Sequence, residues 1–211
     1  MMKLIDYTVK GFTEELASSS PAPGGGSTAA IEGAFGAGLV AMVCELTLGN
    51  KKYEEFHESA NAIKDEANTY RERLLEIVDE DTEAFNLVSA AFAMKKETEE
   101  EKQLRREAIQ NGLKQCCVPP LDVMRNVFET LKLAQKLIDS YNTSTASDLG
   151  TGIVSLRSAL QGAYFNVLIN AGSIKDEQYV SEKKTEAETI RNEFELLYDS
   201  LYQKILEELT R

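Results

Sequence analysis

Residues 60–91 read ANAIKDEANTYRERLLEIVDEDTEAFNLVSAA. Ala60, Ile63, Ala67, Tyr70, Leu74, Ile77, Ala84, Val88 and Ala91 recur in steps of three and four, with one step of seven between Ile77 and Ala84. That is the period of a helix packed along one face, and nothing in it alternates with the period of two that a strand requires. The spacing predicts one long helix over about 51–95. The seven-residue step carries as much information as the stripe. Four residues beyond Ile77 the seam lands on Asp81, and three more reach Ala84. An aspartate therefore fills a core-facing slot among apolar neighbours. Burying a carboxylate without partners costs on the order of several kcal/mol, so Asp81 should be paired, wet or functional. A pKa raised by burial would make it an acid or base usable near neutrality. The alternative is a bend that turns Asp81 to solvent or makes it the cap of a break. Asp79 and Glu80 fall off the seam and read as solvated.

The helical period continues in both directions, and strand and hairpin signals are nearly absent. A first helix is expected over 4–18, with Leu4, Val9, Phe12 and Leu16 on one side. Ser18 to Ser27, with Pro21, Pro23 and Gly24-Gly25-Gly26, is the strongest loop signal in the chain. A second helix should start near Ser27 or Thr28 and run to about Leu48. It is rich in small residues: Ala30, Ala34 and Gly38 lie one turn apart, as do Ala29, Gly33, Ala37 and Ala41. Glycine inside a helix costs about 1 kcal/mol relative to alanine, so close approach of another helix or a ligand is expected there. A fourth helix over about 99–140 should kink or break just before Pro119-Pro120. Two more follow, over about 146–171 and 176–210. The expected fold class is all-α: a single domain over residues 1–211, a bundle of about six mostly long antiparallel helices.

Composition limits the function classes. Thirty-five acidic against 23 basic residues give a net charge of −12, which argues against nucleic acid and anionic membranes as partners. Cys44, Cys116 and Cys117 are odd in number, two of them adjacent, and read as thiols in a reducing compartment. One histidine, His57, and scattered cysteines suggest no metal site. Asp6 and Lys10 interrupt any leader-like start. The apolar stretch 33–44, bracketed by Glu32 and Glu45, is short for a bilayer and reads as a core helix. The cytoplasm is the expected location.

Three further features are candidates for chemistry. Gly24, Gly25, Gly26 and Ser27 open a helix, where free N–H groups and the dipole favour an anion and glycine permits close approach. They read equally as a hinge with Ser27 as N-cap. Asp148, Gly152, Ser155, Ala159, Gly162, Asn166 and Asn170 form a small, polar strip beside the apolar seam Leu149, Ile153, Leu156, Leu160, Ala163 and Val167. The strip reads as a groove in which Asn166 and Asn170 bind a heterocycle, or as a tight helix contact with Asp148 a first-turn acid. Lys51 and Lys52 are a local cationic pair, or simply solvated.

Three blocks together resemble one family. They are Pro21-Ala22-Pro23-Gly24-Gly25-Gly26-Ser27 with Leu46-Thr47-Leu48-Gly49, then Val78-Asp79-Glu80-Asp81-Thr82-Glu83-Ala84-Phe85, then Gly162-Ala163-Tyr164-Phe165-Asn166-Val167-Leu168-Ile169-Asn170. In order and spacing they are similar to the formimidoyltetrahydrofolate cyclodeaminase/methenyltetrahydrofolate cyclohydrolase family. The resemblance implies an all-α homodimer acting on tetrahydrofolate as carrier of a one-carbon unit, without a metal. It implies Asp81 as the catalytic acid/base, and contacts to the folate from Pro23, Gly24, Gly25, Gly26, Ser27, Lys51, Lys52, Asp148, Asn166 and Asn170. Where some members have Arg after the Thr-x-Gly block, this chain has Asn50 and Lys51. The implied reaction is closure of formimidoyltetrahydrofolate to 5,10-methenyltetrahydrofolate and ammonia. The alternatives are the cyclohydrolase reaction, or a non-catalytic folate-binding or helical dimerisation protein.

Overall fold

The computed structural model describes residues 3–211, and among them every regular element is a helix. The α-helices are α1 (Val9–Leu16), α2 (Gly25–Leu48), α3 (His57–Ala93), α4 (Glu99–Cys116), α5 (Val118–Leu137), α6 (Ala146–Ala171) and α7 (Glu177–Leu209). Six of the seven are long, as expected, but they are not the expected six. The fourth predicted helix breaks just before its prolines, as the sequence allows, into two helices that meet at Cys117, with Pro119 and Pro120 in the first turn of α5. Each proline lacks the N–H that would continue α4, and its ring would strike the carbonyl four residues back. In a helix's first turn neither defect matters. The first helix is shorter than expected. Thr8 caps it by accepting from the Gly11 N–H at 3.0 Å, Leu4 lies in a separate 3-10 turn, and only Phe12 of its expected stripe is buried.

The apolar stretch over 33–44 belongs to a 24-residue helix that, by length and composition alone, is long and apolar enough to cross a membrane. Its place in the fold accounts for much of that composition, since 56% of its most apolar window is buried, although Phe35, Met42 and Leu46 stay exposed. α2 packs on α3 along one side and α6 along another, with α5 behind. Gly33 faces Val127 and Leu74, and Gly36 faces Leu156 and the Gly152 carbonyl. At those two positions a β-carbon would meet its neighbours at 2.8 and 2.6 Å, so glycine sets the helix spacing. α2 and α6 run antiparallel: Gly25 lies by Asn166, Ala29 by Gly162, Gly36 by Gly152 and Thr47 by Asn142.

The seam of α3 is buried throughout except for the half-buried Tyr70 and Asp81. The seam of α6 is wholly buried from Leu149 to Val167. These faces form one large core with α2, α5 and α7. A smaller apolar cluster, with Ala84, Val88, Leu113, Cys116, Cys117, Ala171 and Ile174, lies under α4. On the flank, Arg73 of α3 pairs with Glu80 and with Asp122 of α5, and Arg125 joins Asp122 to Glu186 of α7. Glu80 is therefore paired with Arg73 while its side chain stays 40% exposed to solvent.

Candidate functional site

Asp81 projects from α3 where the large core meets the smaller cluster, between the buried Val78 and Ala84. It is not turned out to solvent and it caps no break, because α3 runs unbroken through it. The side chain is partly buried and lies against the first turn of α2. Ser27, itself fully buried, donates its hydroxyl toward Asp81 Oδ2 at 3.0 Å. The same hydroxyl is 3.1 Å from the Val78 carbonyl oxygen and 3.4 Å from Thr82 Oγ1. Gly26 lies directly under the carboxylate, leaving no room for a β-carbon.

Burial pushes the Asp81 carboxyl above the ordinary aspartate range, against the pull of the Ser27 hydroxyl and the Ser27 backbone N–H. The anion seat at the start of α2 is thus filled by a carboxylate of the chain itself. That differs from both expectations for the glycine loop. The helix begins at Gly25, with Gly24 as N-cap and no side-chain cap, so Ser27 is not the cap. Its hydroxyl serves α3 instead. Pro23 is buried in the approach to this turn, and Gly24 has open space where a side chain would be.

The third wall comes from α6. Asn166 lies against Gly25, where a β-carbon would come within 3.2 Å of its Nδ2. It donates to the Gly162 carbonyl at 2.9 Å. One turn on, Asn170 donates to the Cys116 carbonyl at 2.6 Å, tying α6 to the end of α4. The strip on α6 therefore does two jobs. Gly152 and Gly162 pack against α2, while of the amides at its end Asn166 faces the glycine turn and Asn170 the end of α4. Cys116 joins the site although no sequence signal points to it. Its thiol is pushed up to about 11 by burial and by the Asp81 charge, so it is neutral at physiological pH.

Gly24, Gly25, Gly26, Ser27, Asp81 and Asn166 thus converge, with Pro23 in the approaching loop and Asn170 one turn beyond Asn166, on the Cys116 carbonyl. Lys51, Lys52 and Asp148 do not join them within one chain. The lysines follow the far end of α2, about 36 Å from its start at 1.5 Å per residue, and Lys52 Nζ is 3.5 Å from Tyr53 Oη. Asp148 lies in the first turn of α6, as the helix-dipole reading expected. Asp79 is not solvated: it accepts from the Leu4 N–H at 2.7 Å, and its other oxygen is buried.

A partly buried carboxylate held by a hydroxyl donor, with the amides of α6 close by, forms a site suited to moving one proton on a polar ligand. The family model described as formiminotransferase-cyclodeaminase matches residues 8–189. The chain belongs to that family. It is 36% identical over 198 residues to a methenyltetrahydrofolate cyclohydrolase of Methylorubrum extorquens, spanning 94% of this chain and 95% of that one. To the formimidoyltransferase-cyclodeaminase of Mus musculus it is 34% identical over 176 residues, 83% of this chain but 32% of that protein. The chain thus spans about a third of the bifunctional mouse relative. The crystal structure of a formiminotetrahydrofolate cyclodeaminase from Thermotoga maritima superimposes with a TM-score of 0.82 at 28% identity, covering 99% of this chain and 98% of that one. The family members it resembles are enzymes, named for two related reactions.

Proposed function

We propose that this chain is a folate-dependent one-carbon enzyme that closes formimidoyltetrahydrofolate to 5,10-methenyltetrahydrofolate with release of ammonia, Asp81 being its proton shuttle. The observation that carries the reading is a single partly buried carboxylate, raised in pKa by burial and held by Ser27 over Gly26. In the reaction, N10 of the folate attacks the formimino carbon carried on N5. A C–N10 bond forms as the C=N π pair of the protonated formimino group (–CH=NH2+) moves onto its nitrogen, N10 gives up its proton, and the remaining C–N bond to that nitrogen breaks as the N5 lone pair closes the methenyl cation. The departing nitrogen keeps the bonding pair and takes a proton as ammonia. One carboxyl accepts the first proton and delivers the second, and such acid–base assistance supplies about 10²- to 10⁴-fold in rate. Burial favours this exchange, because it brings the two protonation states of Asp81 closer in energy near neutrality.

Asn166 and Asn170 spend one Nδ2 hydrogen each inside the protein. What remains, an Oδ1 acceptor and a second hydrogen, suits the donor–acceptor edge of a pterin. Lys51, Lys52 and Asp148 contact the folate in this scheme only if a second copy brings them near. The apolar side chains exposed on α2 and α6, Phe35, Met42, Phe165 and Ile169 among them, support a homodimer. A cytoplasmic location and the absence of a metal requirement complete the proposal.

A second reading has its own support. The Methylorubrum extorquens relative, which this chain matches over nearly its whole length, is named a methenyltetrahydrofolate cyclohydrolase. Hydration of the same bridging carbon needs similar proton transfers, one from the attacking water and one to the folate nitrogen whose bond to that carbon breaks. One assay separates the two: methenyltetrahydrofolate absorbance followed together with ammonia release. Methenyl product with equimolar ammonia establishes the cyclodeaminase. Consumption of methenyltetrahydrofolate alone establishes the cyclohydrolase. Loss of turnover by about 10²-fold or more in a folded Asp81→Asn variant is expected in either case, and near-normal turnover overturns the shuttle role.

A further inference from the structure

Ser27 has no exposed surface, so it offers a substrate nothing to touch. Among the described residues it is instead the one whose side chain reaches the Asp81 carboxylate through a hydrogen bond. A hydroxyl has one hydrogen to give and two lone pairs to accept with. Ser27 Oγ lies almost equidistant from two acceptors, 3.0 Å from Asp81 Oδ2 and 3.1 Å from the Val78 carbonyl oxygen. When Asp81 is ionised, the hydrogen points to the carboxylate. When Asp81 holds a proton on Oδ2, that proton can be donated to Ser27 Oγ, and the Ser27 hydrogen turns to Val78. Both states are satisfied by a rotation about one C–O bond, with no heavy atom moving.

We propose that Ser27 is a positioning residue for Asp81, its hydroxyl hydrogen passing between the Asp81 carboxylate and the Val78 carbonyl as Asp81 takes up and releases a proton. The inference rests on Asp81 being the shuttle. The rest of the neighbourhood leaves this role to Ser27. The first turn of α2 has no acidic or basic residue. α6 presents amides, Asn166 and Asn170. α4 presents the Cys116 thiol, neutral because burial and the Asp81 charge push it up to about 11. On α3 itself, Glu80 is held by Arg73, Asp79 by the Leu4 N–H, and Glu83 is exposed. No charged partner is among the causes acting on Asp81.

The test is the pH profile of kcat/KM for Ser27→Ala against the parent enzyme, with a ¹³C NMR titration of the Asp81 carboxyl. A bond to the charged form is the stronger of the two that Ser27 makes, so losing the hydroxyl disfavours the carboxylate. The acidic limb and the carboxyl titration should both move upward by about one pH unit. Thr82→Val removes the more distant hydroxyl, at 3.4 Å from Ser27 Oγ, and should leave both in place. Circular dichroism establishes that each variant is folded. If Asp81→Asn abolishes turnover while Ser27→Ala leaves limb and titration unmoved, the role of Ser27 is overturned and that of Asp81 stands. If Asp81→Asn turns over normally, both fall.

Discussion

Gly26 and Asp81, 55 positions apart in the chain (81 − 26), share one volume: a β-carbon on the first would overlap the carboxylate of the second. A glycine that costs helix stability is thereby the condition for placing a carboxylate on the end of α2.

Gly26→Ala should separate stability from activity. The obstructing atoms belong to the end of a short side chain, which can swing away, and alanine favours the helix by about 1 kcal/mol. The melting temperature should change little. Turnover should fall about 10²-fold, because displacement of a reacting group by an ångström costs that much. Steady-state kinetics and a thermal melt on one sample check both parts. A variant with normal turnover would show that the seat under Asp81 does not matter.

The Asp81 carboxyl gives stability a particular pH dependence. Its folded pKa is raised by burial, while the unfolded chain titrates near the ordinary value of about 3.9. Below that value both states hold the proton, and Asp81 costs folding nothing. As pH rises from there through the folded value, the unfolded chain sheds its proton more readily, and Asp81 destabilises the fold. The amide of the Asp81→Asn variant has no proton to shed in this range. Its melting temperature relative to the parent should therefore climb from acid toward neutral pH and then level off. Each kcal/mol reads as roughly 2–4 °C in a chain of this size. A flat difference across pH would mean that burial does not hold the carboxyl up.

The contact between α2 and α6 makes opposite forecasts for two glycines in one helix. At Gly36 a β-carbon would lie 2.6 Å from Leu156 Cγ and 3.0 Å from the Gly152 backbone oxygen. Backbone does not swing aside, so Gly36→Ala should lose about 1–3 kcal/mol by overpacking. At Gly38 a β-carbon would meet only Arg71 Cδ, at 3.8 Å. Gly38→Ala should therefore gain about 0.5–1 kcal/mol from helix propensity. Urea denaturation measures both, and equal shifts of the same sign would contradict the packing account.

Helices α3 and α6 are legible in the sequence because each carries a long apolar stripe, and Asp81 is legible because it interrupts that of α3. Periodicity reports which face a residue occupies, and that is what marks Asp81 and the seam from Leu149 to Val167 in advance. It does not report which end of one helix meets which end of another. Lys51, Lys52 and Asp148 fall in with the glycine turn on sequence for that reason, although the antiparallel run of α2 and α6 puts them at the opposite end of the bundle. Ser27 reads as a cap because a serine beside a helix start has a local role to play, and the distant helix that uses its hydroxyl leaves no mark nearby. The same holds for Cys116, brought to Asp81 by the break between α4 and α5. Val9, expected inside, is 77% exposed at the first position of α1, where only Phe12 of the expected stripe is buried.

The central place of α2 has a consequence for the order in which the protein is made. α3 follows α2 at once and can cover one side of it early. The partner for the other side, α6, ends at Ala171, 123 residues after Leu48 closes α2 (171 − 48). At about 5–20 residues per second of synthesis, that side stays bare for roughly 6–25 s on each new chain. For that interval a glycine- and alanine-rich segment of membrane-like composition is covered by α3, joined by α5 only once Leu137 is made, so the cell meets the sticky half of the bundle well before the half that hides it.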